Sequence, residues 1–201
     1  MVTSTHPTHI QKETLAADKL LPGDFAVWML ILIEISTFGL MFIGFSAVRT
    51  FERDMFLAGQ AVIHPLAGLI NTIALLAASG FVAQGVLDNR NNNQQRAAFM
   101  LLAGVAMATV YIVVKLWEYW QLGSAGYDLN VNHFFTAYFL LTGFHFLHVV
   151  LGMVFLIIMT RKLLRRGYGP GNQIGLESGA CYWHMIDLIW VVLFPIVYVI
   201  R

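Results

Sequence analysis

Charge is what this sequence has least of. Only 11% of its 201 residues are Asp, Glu, Lys or Arg, and twelve basic against eleven acidic side chains leave a net charge of +1. An ordinary soluble domain is about 25% charged and about 45–50% apolar, so a water-facing surface cannot be assembled from this composition. The near-zero balance also excludes the basic field that a nucleic-acid partner needs. One cysteine, Cys181, rules out an intrachain disulfide and any Cys-based zinc or iron–sulfur cage. Residues 1–20 are polar, with Thr3, Ser4, Thr5, His6, Lys12 and Glu13, and lack the apolar stretch of roughly 7–15 residues that a cleavable signal requires. The first spanning helix is therefore expected to serve as its own insertion signal. Internal repeats, a phosphate-cradling glycine loop, a Ser-His-Asp arrangement and a zinc-hydrolase signature are all missing.

What is present is apolar: 58% of the chain. A membrane-spanning helix needs about 20 mostly apolar residues, and five stretches qualify, roughly Phe25–Val48, Leu66–Leu87, Ala97–Trp117, Phe134–Thr160 and Ala180–Ile200. The fold class that follows is all-α: a polytopic bundle of five transmembrane helices over residues 21–201, preceded by a mobile polar tail, residues 1–20. The links are short and polar. Asp88–Arg96 reads as a tight solvated turn, and Arg161–Gly179 carries four basic residues and a Gly/Pro cluster. With five spans the N-terminus shares a side with Lys12, Lys19, Arg90, Arg96, Arg161, Lys162, Arg165 and Arg166, against Arg49, Arg53, Lys115 and Arg201 on the other. Eight against four predicts a cytoplasmic N-terminus and an outside C-terminus. Ala74 with Ala78, and Gly104 with Ala108, have the spacing that lets helix backbones approach closely. Pro195, inside the fifth span, predicts a kink.

Ionisable residues at membrane depth are costly and are functional candidates by default. Glu34 sits mid-span among Ile31, Leu32, Ile33 and Ile35. A neutral, protonated acid costs less there than a carboxylate. It is either a proton-accessible or lipid-contacting acid, or a packing residue bonded across helices to Asn71, Thr72 or a histidine. His145 and His148 share one helical face, as do His184 and Asp187. Metal or haem ligation, a proton relay, and an interhelical hydrogen-bond network are all open to them. A haem held between helices needs paired histidines, and three can supply one such site at most. Lys115 and Glu118 read as an intrahelical pair near a helix end, with the lysine reaching for the interface. Trp117, Tyr119 and Trp120 read as an interfacial belt, while Trp183 and Trp190 fit belt, packing or lipid contact. Arg161, Lys162, Arg165 and Arg166 fit a topology determinant or an anionic lipid-headgroup site. No residue set reads as a self-sufficient catalytic or metal site.

Several of these segments also match a known family. Glu177-Ser-Gly-Ala-Cys-Tyr-Trp-His-Met-Ile-Asp-Leu-Ile-Trp190 resembles the closing helix of cytochrome c oxidase subunit III, with its Tyr-Trp-His-x-x-Asp-x-x-Trp pattern. Phe134–Val149, with Gly152, is similar to the Thr-Gly-x-His-x-x-His-Val helix of that family. Pro65–Gly80 is similar to its Pro-Leu…Asn-Thr…Leu-Leu…Ser-Gly helix. Trp28 through Glu34 to Phe38 matches the helix bearing its intramembrane Glu. The four motifs follow in order over residues 22–200.

The resemblance implies an accessory subunit of a haem-copper oxidase superfamily complex. Such a subunit has no redox centre or metal of its own. It packs on the haem-bearing subunit I, binds phospholipid, and supports that subunit's stability and proton uptake. The family's carbodiimide-reactive acid falls on Glu34, and its lipid-cleft histidines and acids on His145, His148, His184 and Asp187. The two extra N-terminal helices of the seven-helix form have no counterpart here, which matches the short bacterial form of the inner membrane. Leu21–Asp24 and Trp190–Tyr198 look closest to the branch associated with nitric oxide reductase. Two other readings stand beside this one. The histidines could make a small bis-His cytochrome b-type carrier or anchor. Glu34 and Asp187 could belong to a proton-coupled transporter, although paired broken helices are lacking.

Overall fold

The computed structural model describes residues 24–168 and 173–200; the polar segment 1–20 lies outside them. The described chain is helical. In chain order the elements are α1 (Phe25–Phe51), α2 (Arg53–Val62), α3 (Pro65–Arg90), α4 (Gln94–Ser124), α5 (His133–Leu164) and α6 (Ile174–Phe194), which continues into one π turn, Pro195–Val199. Five helices are long and apolar enough to cross a membrane: Phe25–Phe51, Pro65–Arg90, Gln94–Ser124, His133–Leu164 and Ile174–Val199. Their outward faces carry exposed Leu40, Ile43, Ile73, Val113 and Leu147. Such a surface is stable only against lipid or protein.

Local chemistry sets the helix starts. Asp24 accepts from the Ala26 N–H at 3.1 Å, Asn93 from Arg96 at 3.3 Å and Asn132 from Phe135 at 3.0 Å, each filling an N-cap. Pro65 opens α3, where its missing N–H costs nothing. The α3–α4 pair is the most extensive interface, and its seam is made of small residues. Ala74, Ala78, Gly85, Gly104 and Ala108 are buried there, as the small-residue spacing predicts. A Cβ on Gly85 would fall on the Leu101 side chain and 3.2 Å from the Ala97 carbonyl. On the far side α1 packs against α6 and α5 and is the most peripheral span.

Two sequence expectations change. The Asp88–Arg96 segment is not one solvated turn, because α3 runs on to Arg90 with Asp88 and Asn89 buried. Asp88 accepts from Gln84 at 3.2 Å and pairs with Arg96 at 3.3 Å, and the reversal itself is confined to Asn91–Asn93. Asn92 takes the left-handed conformation there (φ 61°), which asparagine tolerates. The last span continues past Pro195 as the π turn, with the Ile200 N–H bonded to the Pro195 carbonyl at 2.9 Å. Finally, α2 was read only as a link. It folds back so that Phe56, Gly59 and Gln60 are buried, and Gln60 Nε2 donates at 3.0 Å to the carbonyls of Val197 and Ile200. That side chain satisfies acceptors which the end of the last span would leave bare.

Candidate functional site

Polar groups inside the bundle occupy separate places rather than one continuous network. Glu34 meets His148: Oε2 and Nε2 are 3.0 Å apart, with side chains 19% and 11% exposed. A histidine was among the three partners expected for Glu34. The other nitrogen fixes the chemistry of this contact. His148 Nδ1 lies 2.8 Å from the Phe144 carbonyl, which can only accept, so Nδ1 carries a hydrogen and donates. Nε2 is then the nitrogen left to face the Glu34 carboxyl.

His145, one turn earlier on α5, is fully buried, and neither ring nitrogen has a hydrogen-bond partner among the described residues. It is walled by rings: Phe38 at 6.2 Å, Tyr111 at 5.9 Å and Trp190 at 5.1 Å between centroids. Phe38 also packs on His148 at 5.4 Å. Thr72 takes the indole N–H of Trp190 at 2.9 Å while donating to the Gly68 carbonyl at 2.8 Å. Asn71 is fully buried, and its side chain has no bonded partner among the described residues. His184 Nδ1 lies 2.5 Å from the Ser79 hydroxyl, and Asp187, one turn on, also lies beside Ser79. Trp183 and Trp190 are 1% and 0% exposed, so of the three roles open to them both take packing.

The largest departure from the sequence reading is Lys115. It does not reach for the interface. Lys115 and Glu118 are both wholly buried and 2.8 Å apart. α4 runs to Ser124 rather than ending near Trp117, which leaves Lys115 about 14 Å inside the helix end at 1.5 Å per residue. The ammonium also donates to Tyr138 Oη at 3.0 Å and Tyr198 Oη at 2.7 Å. Tyr198 donates in turn to Glu118 at 2.9 Å. Rings of Tyr119, Tyr138, Trp190 and Tyr198 surround Nζ with centroids 4.9–5.7 Å away, the geometry of cation–π contact. Tyr119 therefore belongs to the interior, bonded to Thr142 at 2.9 Å, while Trp117 and Trp120 stay exposed as a belt would. A lysine and a glutamate three apart inside an apolar span were the available signal. Two tyrosines from other helices completing their bonds were not visible in sequence.

At the opposite end of the bundle Arg161 and Lys162 form the last turn of α5, with Arg165 and Arg166 just beyond, all four exposed. Lys162 Nζ sits 4.3 Å over the Tyr168 ring. Burial raises the Tyr168 phenol above its usual pKa, which keeps that ring neutral beneath the cation. Arg90 and Glu177 pair at 2.8 Å across α3 and α6, a surface bridge worth little. Among the described residues no three His, Cys, Asp or Glu side chains are grouped to hold a metal.

Fold and site together define a multi-pass helical membrane protein with two ionisable pairs inside the bundle, Glu34 with His148 and Lys115 with Glu118. The chain belongs to the cytochrome c oxidase subunit III family, whose sequence model matches residues 13–200. It is 31% identical over 182 residues to a heme-copper oxidase subunit I+III of Aeropyrum pernix, covering 87% of this chain and 22% of that protein. It is 30% identical over 141 residues to cytochrome c oxidase subunit 3 of Papio hamadryas, covering 70% of this chain and 53% of that one. A probable quinol oxidase subunit 3 of Staphylococcus aureus is 28% identical over 177 residues, 86% of each chain.

Proposed function

We propose that this chain is the non-catalytic subunit III of a haem-copper oxidase superfamily complex, a terminal oxidase or a nitric oxide reductase, in a bacterial inner membrane. It packs on a haem-bearing subunit I and supports that subunit's stability and proton uptake. The family match over residues 13–200 carries this reading. The fused subunit I+III of Aeropyrum pernix supports the choice of partner, since both parts there share one polypeptide. Haem and metal belong to that partner. The geometry gives little support to the bis-His alternative: both nitrogens of His148 are engaged, by Phe144 and Glu34, and His184 Nδ1 is held by Ser79. Within this reading Glu34 is the proton-linked acid, with His148 as its partner.

A phospholipid role has its own support. A cavity of about 260 Å³ between α1, α5 and α6, lined by Val27, Leu30, Phe155, Ile158 and Tyr182, is almost wholly apolar. It lies one turn from Arg161 and Lys162. Acyl chain and anionic headgroup would thus meet matching surfaces at one end of α5. The nitric oxide reductase branch rests on Leu21–Asp24 and Trp190–Tyr198 alone.

An affinity tag on this chain and mild-detergent extraction test the proposal. A haem-copper subunit I is expected to co-purify. If that subunit reduces oxygen, the nitric oxide reductase branch is set aside; if it reduces nitric oxide, the branch holds. A haem absorption band from this chain by itself would overturn the accessory reading in favour of the cytochrome.

A further inference from the structure

The middle of the bundle is a single layer to which all five spans contribute. Phe38 comes from α1, Asn71 and Thr72 from α3, Tyr111 from α4, His145 from α5 and Trp190 from α6. Ring contacts tie it together: His145 to Phe38, Tyr111 and Trp190, and Tyr111 to Trp190 at 5.1 Å. The Thr72–Trp190 bond adds α3. This layer is sealed, since Phe38 is 1% exposed and Asn71, Tyr111, His145 and Trp190 are 0% exposed. Its polar atoms are nonetheless unmatched. Tyr111 Oη, both ring nitrogens of His145 and both amide atoms of Asn71 have no hydrogen-bond partner among the described residues.

Buried polar groups are almost always bonded, and a group left without a protein partner is the usual address of an ordered water. The alternative is several unpaired donors and acceptors in one low-dielectric layer, each strongly unfavourable. Tyr111 offers a donor and an acceptor. A neutral His145 offers one of each, and Asn71 offers both kinds at the same level of the bundle.

The neighbours of this layer give it a direction. His148, 3.0 Å from Glu34, lies one turn from His145 on the same face of α5 and shares its contact with Phe38. Lys115 lies one turn from Tyr111 on the same face of α4, and its Nζ is 5.7 Å from the Trp190 ring. Beyond it are Glu118, Tyr138 and Tyr198.

We propose that ordered water is bound between Tyr111 and His145. It lies between the Glu34·His148 pair on one flank and the Lys115·Glu118 pair on the other. The water accepts from one ring and donates to the other, completing hydrogen bonds that the protein alone leaves open. This inference stands on the chain's own residues and holds whichever large subunit is the partner.

Hydroxyl-radical footprinting of the intact complex in ¹⁸O-labelled water reads it directly, because radicals formed from a bound water label the side chains that touch it. Tyr138, 0% exposed like Tyr111, and Tyr198, 5% exposed, are internal controls, since their hydroxyls are bonded to protein. Tyr111 and His145 are expected to take up ¹⁸O several-fold faster than the two controls. Labelling of Tyr111 as slow as theirs would mean a dry layer and would overturn the proposal. In Tyr111→Phe, which keeps the ring and removes the hydroxyl, His145 labelling is expected to fall several-fold with the controls unchanged. Undiminished His145 labelling there would overturn the assignment of one water to both residues. Neither readout depends on turnover, so a failed partner assignment and a dry layer remain distinguishable.

Discussion

Glu34 faces His148 Nε2 because the Phe144 carbonyl holds the histidine's other nitrogen. Glu34→Gln keeps a donor facing Nε2 but cannot release a proton. Assembly is therefore expected to survive while turnover of the complex falls several-fold, measured as substrate reduction across pH. Unchanged turnover would leave Glu34 as a packing residue only. Lys115 supports a sharper energetic statement. Removing one partner of a buried ion pair costs about 3–5 kcal/mol, whereas replacing both with apolar groups of similar size is often neutral. Lys115→Met strands Glu118 among tyrosines and is expected to abolish stable folding. Lys115→Met with Glu118→Met is expected to recover much of it, read as monodisperse protein after heating in detergent. A double variant as unstable as the single would show that the tyrosine bonds, not the charges, hold α4, α5 and the C-terminal turn together.

Between helices, close approach matters more than polarity. A Cβ on Gly152 would come 2.7 Å from Ile186 Cδ1 and 3.0 Å from the Trp183 ring. The isoleucine tip can move, but the buried indole cannot easily follow. Gly152→Val is expected to part α5 from α6 at a cost of about 1–3 kcal/mol, seen as a lower melting temperature of the purified complex. The five spans and the small-residue seam were legible in the sequence because hydropathy and spacing depend only on neighbours along one helix. Helix ends were less so: reading α4 as finished by Trp117 instead of Ser124 is what sent Lys115 to the surface. α2 escaped because ten residues are too few to span, and only its amphipathic stripe, with Phe56, Gly59 and Gln60 on the buried side, marked it. Glu34 was recognisable as a buried acid. Its choice of His148 over Asn71 or Thr72 depends on how α1 is rotated against α5, which no local pattern encodes. The unmatched layer around Tyr111 and His145 is a property of five helices at once.

For the whole molecule, the count of basic residues predicts which way the bundle faces. With Lys115 in the interior, eight on the N-terminal side stand against three on the other. Neutralising Arg161, Lys162, Arg165 and Arg166 leaves four against three. A reporter fused after Arg201, expected outside the membrane in the parent, is then expected to divide between both sides. A reporter that stays wholly outside would show that orientation is set by assembly with the partner rather than by loop charge.

The contact between Glu34 and His148 also bears on how the bundle meets a transmembrane voltage. Carboxylic acid with imidazole and carboxylate with imidazolium both sum to zero charge, as do the Lys115 ammonium and the Glu118 carboxylate. Moving a proton across that 3.0 Å contact crosses at most about a tenth of a hydrocarbon layer ~30 Å thick. A full crossing is worth about 2.3 kcal/mol per 100 mV, so the voltage contributes no more than about 0.2 kcal/mol per 100 mV to the choice of partner. An energised membrane leaves that choice to the hydrogen bonds around the pair.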